Sequence, residues 1–402
     1  MKQSLPSSSL SLQTLVPNLC PEAALLLACL HPHQTAKTRV HIKVLLQRSL
    51  DWQYFLQIVE KHRVLPSIYR NLPISSLPNH IQKTLRRRFY ENAQRNLRLT
   101  QELMQLLDVF KSHKVDVIPY KGTVLSASAY GKLSLRQVWD IDILVREKDV
   151  AKSRELLFSS GFHQTESFDR EQSFFNEERD VEVDLHWGLT PFYFPIDLAF
   201  EDLWQERQPV ALQRGPVNGS GNASGNGSVM SFSSEHMLLI LCIQIAKDCW
   251  ERRQHIEHLA KVSDIAALIH TSPDLDWQAV LAQAQSAGIE RILYFGLQLA
   301  QSLLDAPLPK TVEANMRGDR PPIRNIAHPV KQVCQNLFGT FDDAFVEANS
   351  TYLDITARAK QLNFYLQLRE RPQDKIKHVQ EIFKTIPTAI TSTATSQQQS
   401  AE

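Results

Sequence analysis

Apolar positions along the chain change their period twice. From Pro21 to about Leu107 they recur at helical spacing; Trp52, Phe55, Leu56 and Val59 form one apolar face. Ile81–Leu107 continues the pattern and carries Arg86, Arg87 and Arg88. That arginine run reads as a solvated helix face, with phosphate binding as the alternative. At Val115 the period shortens. Val115–Tyr120 predicts a short strand, Lys121-Gly122-Thr123 a turn, and Val124–Tyr130 a helix. Trp139–Val145 predicts a second strand, with Trp139, Ile141, Ile143 and Val145 directed into a core. Asp149 is placed to cap a helix over Val150–Ser159, and Gly161 sits where such a helix would stop. Weaker strands are expected near Phe162–Thr165 and Ser173–Asn176, and a clean alternation predicts one over Val181–Trp187.

Past a Gly/Asn/Ser-rich stretch the pattern is helical again, over Glu235–Ile245, Ile256–Ile269, Trp277–Ala287, Ile289–Leu304, Thr340–Leu368 and Lys375–Lys384. The fold class expected is α+β. Residues 1–100 would be a tail, loose to about residue 17, and a helical region; 101–214 a small mixed-sheet α/β domain. Residues 215–229 would form a flexible linker, 230–387 a helical C-terminal domain, and 388–402 a disordered tail.

Composition narrows the function. The 402 residues carry 44 Lys+Arg against 43 Asp+Glu, a balance that makes nucleic acid an unlikely partner. Only 13 glycines occur, and five of them lie between Gly215 and Gly227. Neither GxGxxG nor GxxxxGK[ST] is present, which excludes a Rossmann dinucleotide site and a P-loop. The five cysteines lack CxxC spacing, so reduced thiols in a cytoplasmic protein are expected instead of disulfides or a zinc ribbon. The longest apolar runs, Ala23–Leu30 and Met237–Ile243, fall short of the roughly 20 residues a bilayer needs, so no membrane is expected as a partner.

The chemistry concentrates between Pro119 and Trp187. Asp140 and Asp142 alternate with apolar residues, so a strand would put both carboxylates on one face, roughly 6.5–7 Å apart. Paired carboxylates repel unless a cation bridges them or water screens them, and oxygen-rich pairs suit Mg²⁺. Alone, the pattern also describes an ordinary solvent-facing strand edge. Upstream, Gly122 lets backbone N–H groups approach a phosphate at a helix start, with Lys121 or Thr123 adding a charge or hydroxyl. Downstream, Asp184 shares a polar face with Glu182 and His186. Three carboxylates, two metals and a phosphate cradle are the parts of two-metal in-line attack at phosphorus.

The run YKGTVLSASAYG, LRQVWDIDILV, LLFSSGF and VEVDLHW resembles the uncharacterised nucleotidyltransferase family of the DNA polymerase beta-like superfamily. The resemblance implies that Asp140 and Asp142 hold both metals and that Asp184 completes the site for the one activating the incoming hydroxyl. It also implies that Gly122 and Thr123 stand in place of the superfamily's Gly-Ser phosphate turn. Lys121-Gly122-Thr123 departs from that pair, and the gap to Asp140 is longer than in minimal members. Arg136 shares strand parity with Asp140 and would contact a triphosphate or form an ion pair. His186 is read as structural or supporting. His255 and His258 read as helix surface, and Trp250-Glu251-Arg252-Arg253 as helix-end packing.

The leading expectation is therefore an enzyme: two Mg²⁺ ions, an NTP with ATP expected, and transfer of a nucleoside monophosphate to a hydroxyl of a small-molecule or protein acceptor. The rivals are a non-catalytic nucleotide- or partner-binding module on the same fold and, least favoured, RNA tailing.

Overall fold

The computed structural model describes residues 12–196, 198–213, 226–251, 255–256, 258–317, 326–337 and 355–380. Six helices come first: α1 (Leu12–Leu15), α2 (Pro21–Leu30), α3 (Ala36–Leu45), α4 (Trp52–Lys61), α5 (Leu65–Asn71) and α6 (Asn79–Ser112). Then follow β1 (Val117–Pro119), α7 (Gly122–Tyr130), β2 (Asp140–Val145), α8 (Val150–Ser159), β3 (His163–Ser167), β4 (Glu171–Asn176) and β5 (Val181–His186). After α9 (Phe200–Gln205), β6 (Gln208–Gln213) and β7 (Asn226–Ser231), the chain is helical. Its helices are α10 (Ser234–Glu251), α11 (Ala260–Thr271), α12 (Trp277–Ala287), α13 (Glu290–Leu304), α14 (Lys310–Arg317), α15 (Ala327–Leu337) and α16 (Ile355–Leu368).

The five-stranded sheet has the order β1-β2-β5-β4-β3. β2 and β5 are parallel neighbours; every other pairing is antiparallel. The β2-to-β5 crossover runs through α8 and the β3–β4 hairpin. One face of the sheet buries Ile141, Ile143, Val145, Val183, Leu185 and Phe174 against Leu99, Leu103, Leu106 and Phe110 of α6 and Leu156 and Leu157 of α8. Each such side chain contributes about 1.5–3 kcal/mol on burial. On the other face Ile118, Tyr120 and Leu144 enter the core of the surrounding helices.

The organisation differs from the sequence expectation in instructive ways. The boundary placed at residues 100/101 falls inside α6, a single 34-residue helix. Its buried face runs from Ile81 to Phe110, with Asn92 and Asn96 between two apolar ends, of which one packs on the N-terminal helices and the other on the sheet. The N- and C-terminal helices share one continuous core, from Leu25 and Phe55 through Ile240 and Phe295, and are not separate bodies. Residues 226–229, expected in the linker, form β7 with Met230 and Ser231 and pair antiparallel with β6. The hairpin is held to the sheet where Ser231 Oγ donates to the Pro119 carbonyl at 2.7 Å. The rest of the expected linker up to 225, and the tail 388–402, lie outside the described residues.

Smaller differences are local. Leu12–Leu15 is helical within the stretch expected to be loose. Asp149 closes a 3₁₀ turn and its side chain caps nothing; its carbonyl accepts from Ser153 Oγ at 2.7 Å. Gly161 does occupy the left-handed position after α8, with φ +85°. Helix α11 starts at Ala260, so His255 and His258 precede it, and His258 Nδ1 meets the Lys61 carbonyl at 2.7 Å.

Candidate active site

The parallel pairing of β2 with β5 assembles the site. Its register places Asp142 directly opposite Asp184 and Asp140 opposite Glu182. Side chains alternate, so Asp140, Asp142, Glu182, Asp184 and His186 share one face. β4 then adds Ser173 opposite Asp184 and Glu171 opposite His186. Potential ligand atoms of Asp142, Asp184 and His186 all lie within 4.8 Å of one another.

Each carboxylate has a different environment. Asp142 is only 6% exposed. Its Oδ1 accepts from Lys121 Nζ at 2.8 Å and lies 3.3 Å from His186 Nε2. Burial alone would raise its carboxyl, but the Lys121 charge and the His186 contact outweigh burial and hold it below the usual carboxylate range. Asp184 behaves in the opposite way. Burial, with the negative charge of Asp142 adding to it, pushes Asp184 up to about 8, although Ser173 Oγ donates to its Oδ1 at 2.7 Å. Asp140 is raised to about 6 by burial and by Asp142. It makes no side-chain hydrogen bond or ion pair among the described residues. The cluster thus carries more negative charge than its own cations neutralise.

The turn ahead of α7 brings up the counter-charge. Lys121 has φ +53° and Gly122 φ +38°. A Cβ at Gly122 would stand 3.2 Å from the Asp140 carbonyl, so the turn lies against the start of β2 and excludes a side chain there. Thr123 is buried behind it in the first turn of α7. Lys121 Nζ also lies 4.9 Å from the centroid of the Tyr120 ring, which packs edge-on against His186.

Two expectations do not hold. Arg136 does not face the cluster as a triphosphate ligand. Its Nε and Nη2 donate to Asp264 Oδ1 and Oδ2 at 3.0 and 3.1 Å, and Tyr130 Oη donates to the same carboxylate at 2.7 Å. Asn92 and Asn96 hold the Arg136 carbonyl at 3.1 and 2.8 Å, fixing the approach to β2. Arg136→Ala, which leaves the buried Asp264 carboxylate without its cation, is expected to cost about 3–5 kcal/mol of stability. Denaturant titration measures that loss. Trp139 is not in the core either: it is 45% exposed, with the Arg95 guanidinium 3.9 Å from its ring centroid. β2 begins only at Asp140, so the alternation does not extend back to Trp139.

Sequence reasoning missed Glu171 and Ser173 altogether. Glu171 Oε2 lies 3.3 Å from His186 Nδ1, and with Asp142 on Nε2 it fixes both ring nitrogens. From the helical side Tyr193 Oη donates to Glu251 at 2.5 Å, and Lys247 pairs with that carboxylate at 3.6 Å. Trp250 packs edge-on against Tyr365 and His378.

The site thus consists of a strand-turn-helix followed by carboxylates on neighbouring parallel strands, within an α+β fold. Residues 48–305, well over half of the chain, match the family described as uncharacterised nucleotidyltransferase, and the chain belongs to that family. The resemblance seen over Pro119–Trp187 and the α+β class are thereby borne out. Among solved structures, the crystal structure of an antigenic nucleotidyltransferase-like protein from Paracoccidioides brasiliensis is similar over 55% of this chain and 96% of that chain. Sequence identity there is 16% and the TM-score 0.31. No curated protein matches the sequence. No helix among the described residues is long and apolar enough to cross a membrane.

Proposed function

We propose that the protein transfers a nucleoside monophosphate from an NTP, with ATP the expected nucleotide, to a hydroxyl of a small-molecule or protein acceptor and releases pyrophosphate. The observation that carries this reading is the placement of Asp142 opposite Asp184 on parallel strands, with Asp140 on the same face. The donor set fits hard divalent cations such as Mg²⁺: carboxylate oxygens beside one imidazole, and two carboxyls raised first by burial and then by the negative charge of Asp142. Asp140, Asp142 and Asp184 would hold the cations. When bound, these neutralise charge on the triphosphate and lower the pKa of the attacking hydroxyl.

The chain's own groups supply the remainder. The N–H groups opening α7 at Gly122 and Thr123 would meet phosphate oxygens, and the helix end adds positive potential. Ser173 fixes the Asp184 carboxylate through Oδ1, which orients the other oxygen. His186, held between Asp142 and Glu171, steadies the Asp142 carboxylate.

Incubation with α- and γ-labelled ATP, Mg²⁺ and fractions of a cell lysate tests the reading. Label from the α-phosphate is expected on an acceptor, with none from the γ-phosphate. Equal transfer by wild type and an Asp140→Asn/Asp142→Asn double variant would remove it. So would nucleotide binding that never yields pyrophosphate with any acceptor fraction, which is the outcome expected of a non-catalytic module.

A further inference from the structure

We infer that Lys121 is a two-position cation, which occupies Asp142 until a divalent ion displaces it toward the phosphates and so makes metal binding depend on the nucleotide. The inference rests on the proposed nucleotidyltransferase reading and adds an order of events to it.

The argument starts from where the lysine stands. Lys121 is the residue that opens α7, and its side chain lies at the end of the helix where backbone N–H groups already create positive potential. A cation is disfavoured there unless an anion accompanies it. It also adopts φ +53°, a conformation that typically costs a non-glycine residue about 1–3 kcal/mol. Both penalties are accepted at one residue, and the geometry shows what they achieve. The turn sends Nζ inward to Asp142 Oδ1 at 2.8 Å, past the Tyr120 ring.

That carboxylate belongs to the Asp142–Asp184–His186 group whose atoms could surround a metal ion. The lysine therefore holds a carboxylate that a divalent cation needs. Two positive charges cannot share it cheaply, so a metal ion arriving alone must push the ammonium away from its only carboxylate partner among the described residues. A triphosphate changes the balance. Its oxygens at the start of α7 would offer the displaced ammonium a new anionic partner. Metal and NTP then bind with positive coupling, and by linkage each raises the affinity of the other by the same factor. The long, flexible stem of lysine suits such a shift between two anions, whereas the planar fork of arginine does not.

The test is Mn²⁺ binding followed by electron paramagnetic resonance, with and without a non-hydrolysable ATP analogue, in wild type, Lys121→Met and Lys121→Arg. Wild type is expected to bind Mn²⁺ at least about tenfold more tightly when the analogue is present. Lys121→Met should bind Mn²⁺ alone about tenfold or more tighter than wild type and lose most of the coupling. Lys121→Arg, which keeps the charge, should bind Mn²⁺ alone as weakly as wild type. A damaged fold cannot mimic a gain in affinity, and circular dichroism of each variant checks the fold. Equal or weaker Mn²⁺ binding by a folded Lys121→Met, with Asp142→Asn still abolishing it, would overturn the inference while leaving the proposed function standing. No Mn²⁺ binding by wild type under either condition would instead count against both.

Discussion

The Asp184→Asn variant is expected to melt above the wild-type protein at about pH 8 without divalent cations, while losing nucleotidyl transfer by about 10³-fold or more. Asp184 holds a proton up to about 8 because its charge is unwelcome beside Asp142 in a partly buried site. The amide keeps an acceptor for Ser173 Oγ and removes that charge. A gain on the order of 1 kcal/mol, or about 2 °C, follows. Asp142→Asn should lose activity equally and move stability the other way. It strips Lys121 of its counter-ion at 2.8 Å in a site where Asp142 itself is buried, and breaking such a pair costs about 3–5 kcal/mol. Two neighbouring carboxylates of the same cluster would thus share one catalytic phenotype and show opposite thermal shifts. Calorimetry of the two proteins in chelator decides it; shifts in the same direction would refute this electrostatic description.

The contribution of Asp140 and Asp184 to the stability of the cation-free protein is expected to fall as pH rises from about 4 to about 8, and Mg²⁺ to restore it mainly at the upper end, above the range where buried His62 and His378 act in the opposite sense. The sign follows from the two raised carboxyls. In the unfolded chain Asp140 and Asp184 ionise near the ordinary value of about 3.9. In the folded protein they hold their protons to about 6 and about 8. Between these limits the folded state binds more protons than the unfolded one, so each rise in pH favours unfolding. Asp142, held below its usual range, contributes in the opposite sense, and only as pH drops below about 4. A bound divalent cation removes the mutual repulsion, so Mg²⁺ should raise the urea midpoint more at about pH 8 than at about pH 5. Asp184→Asn should flatten the upper part of the profile. An Asp184→Asn profile as steep as that of wild type between about pH 6 and about pH 8 in chelator would contradict the assignment.

Much of this cluster was legible before any coordinates, and the reason is local. Asp140 and Asp142 announce themselves through alternation with Ile141 and Ile143, and Asp184 through alternation with Val183 and Leu185. Gly122 could be singled out because glycine is scarce elsewhere, and the structure adds that its backbone lies against the Asp140 carbonyl. What local patterns could not carry is pairing. That β5 lies parallel to β2 in a register facing Asp142 with Asp184 is a long-range fact, and so is the arrival of Glu171 and Ser173 on β4.

Arg136 shows the limit most clearly. Strand parity aligned it with the carboxylates, but β2 starts at Asp140, and Arg136 turns to a partner 128 positions away, Asp264 on α11. The boundary expected at residues 100/101 fell inside α6 for a related reason. Helical periodicity reports that a face is apolar and is silent about what covers it, so helices that share one core with α10 and α13 read as a separate unit. The glycine-rich stretch likewise gave no sign that its end would close a hairpin with β6.

The most direct measurement for the central claim is anomalous scattering from crystals soaked with Mn²⁺ and a non-hydrolysable ATP analogue. The expected result is manganese between Asp142 and Asp184, with the triphosphate lying toward Gly122 and Thr123 at the start of α7. Nucleotide and metal bound together elsewhere on the molecule, or nucleotide bound with no metal at these carboxylates, would contradict the account.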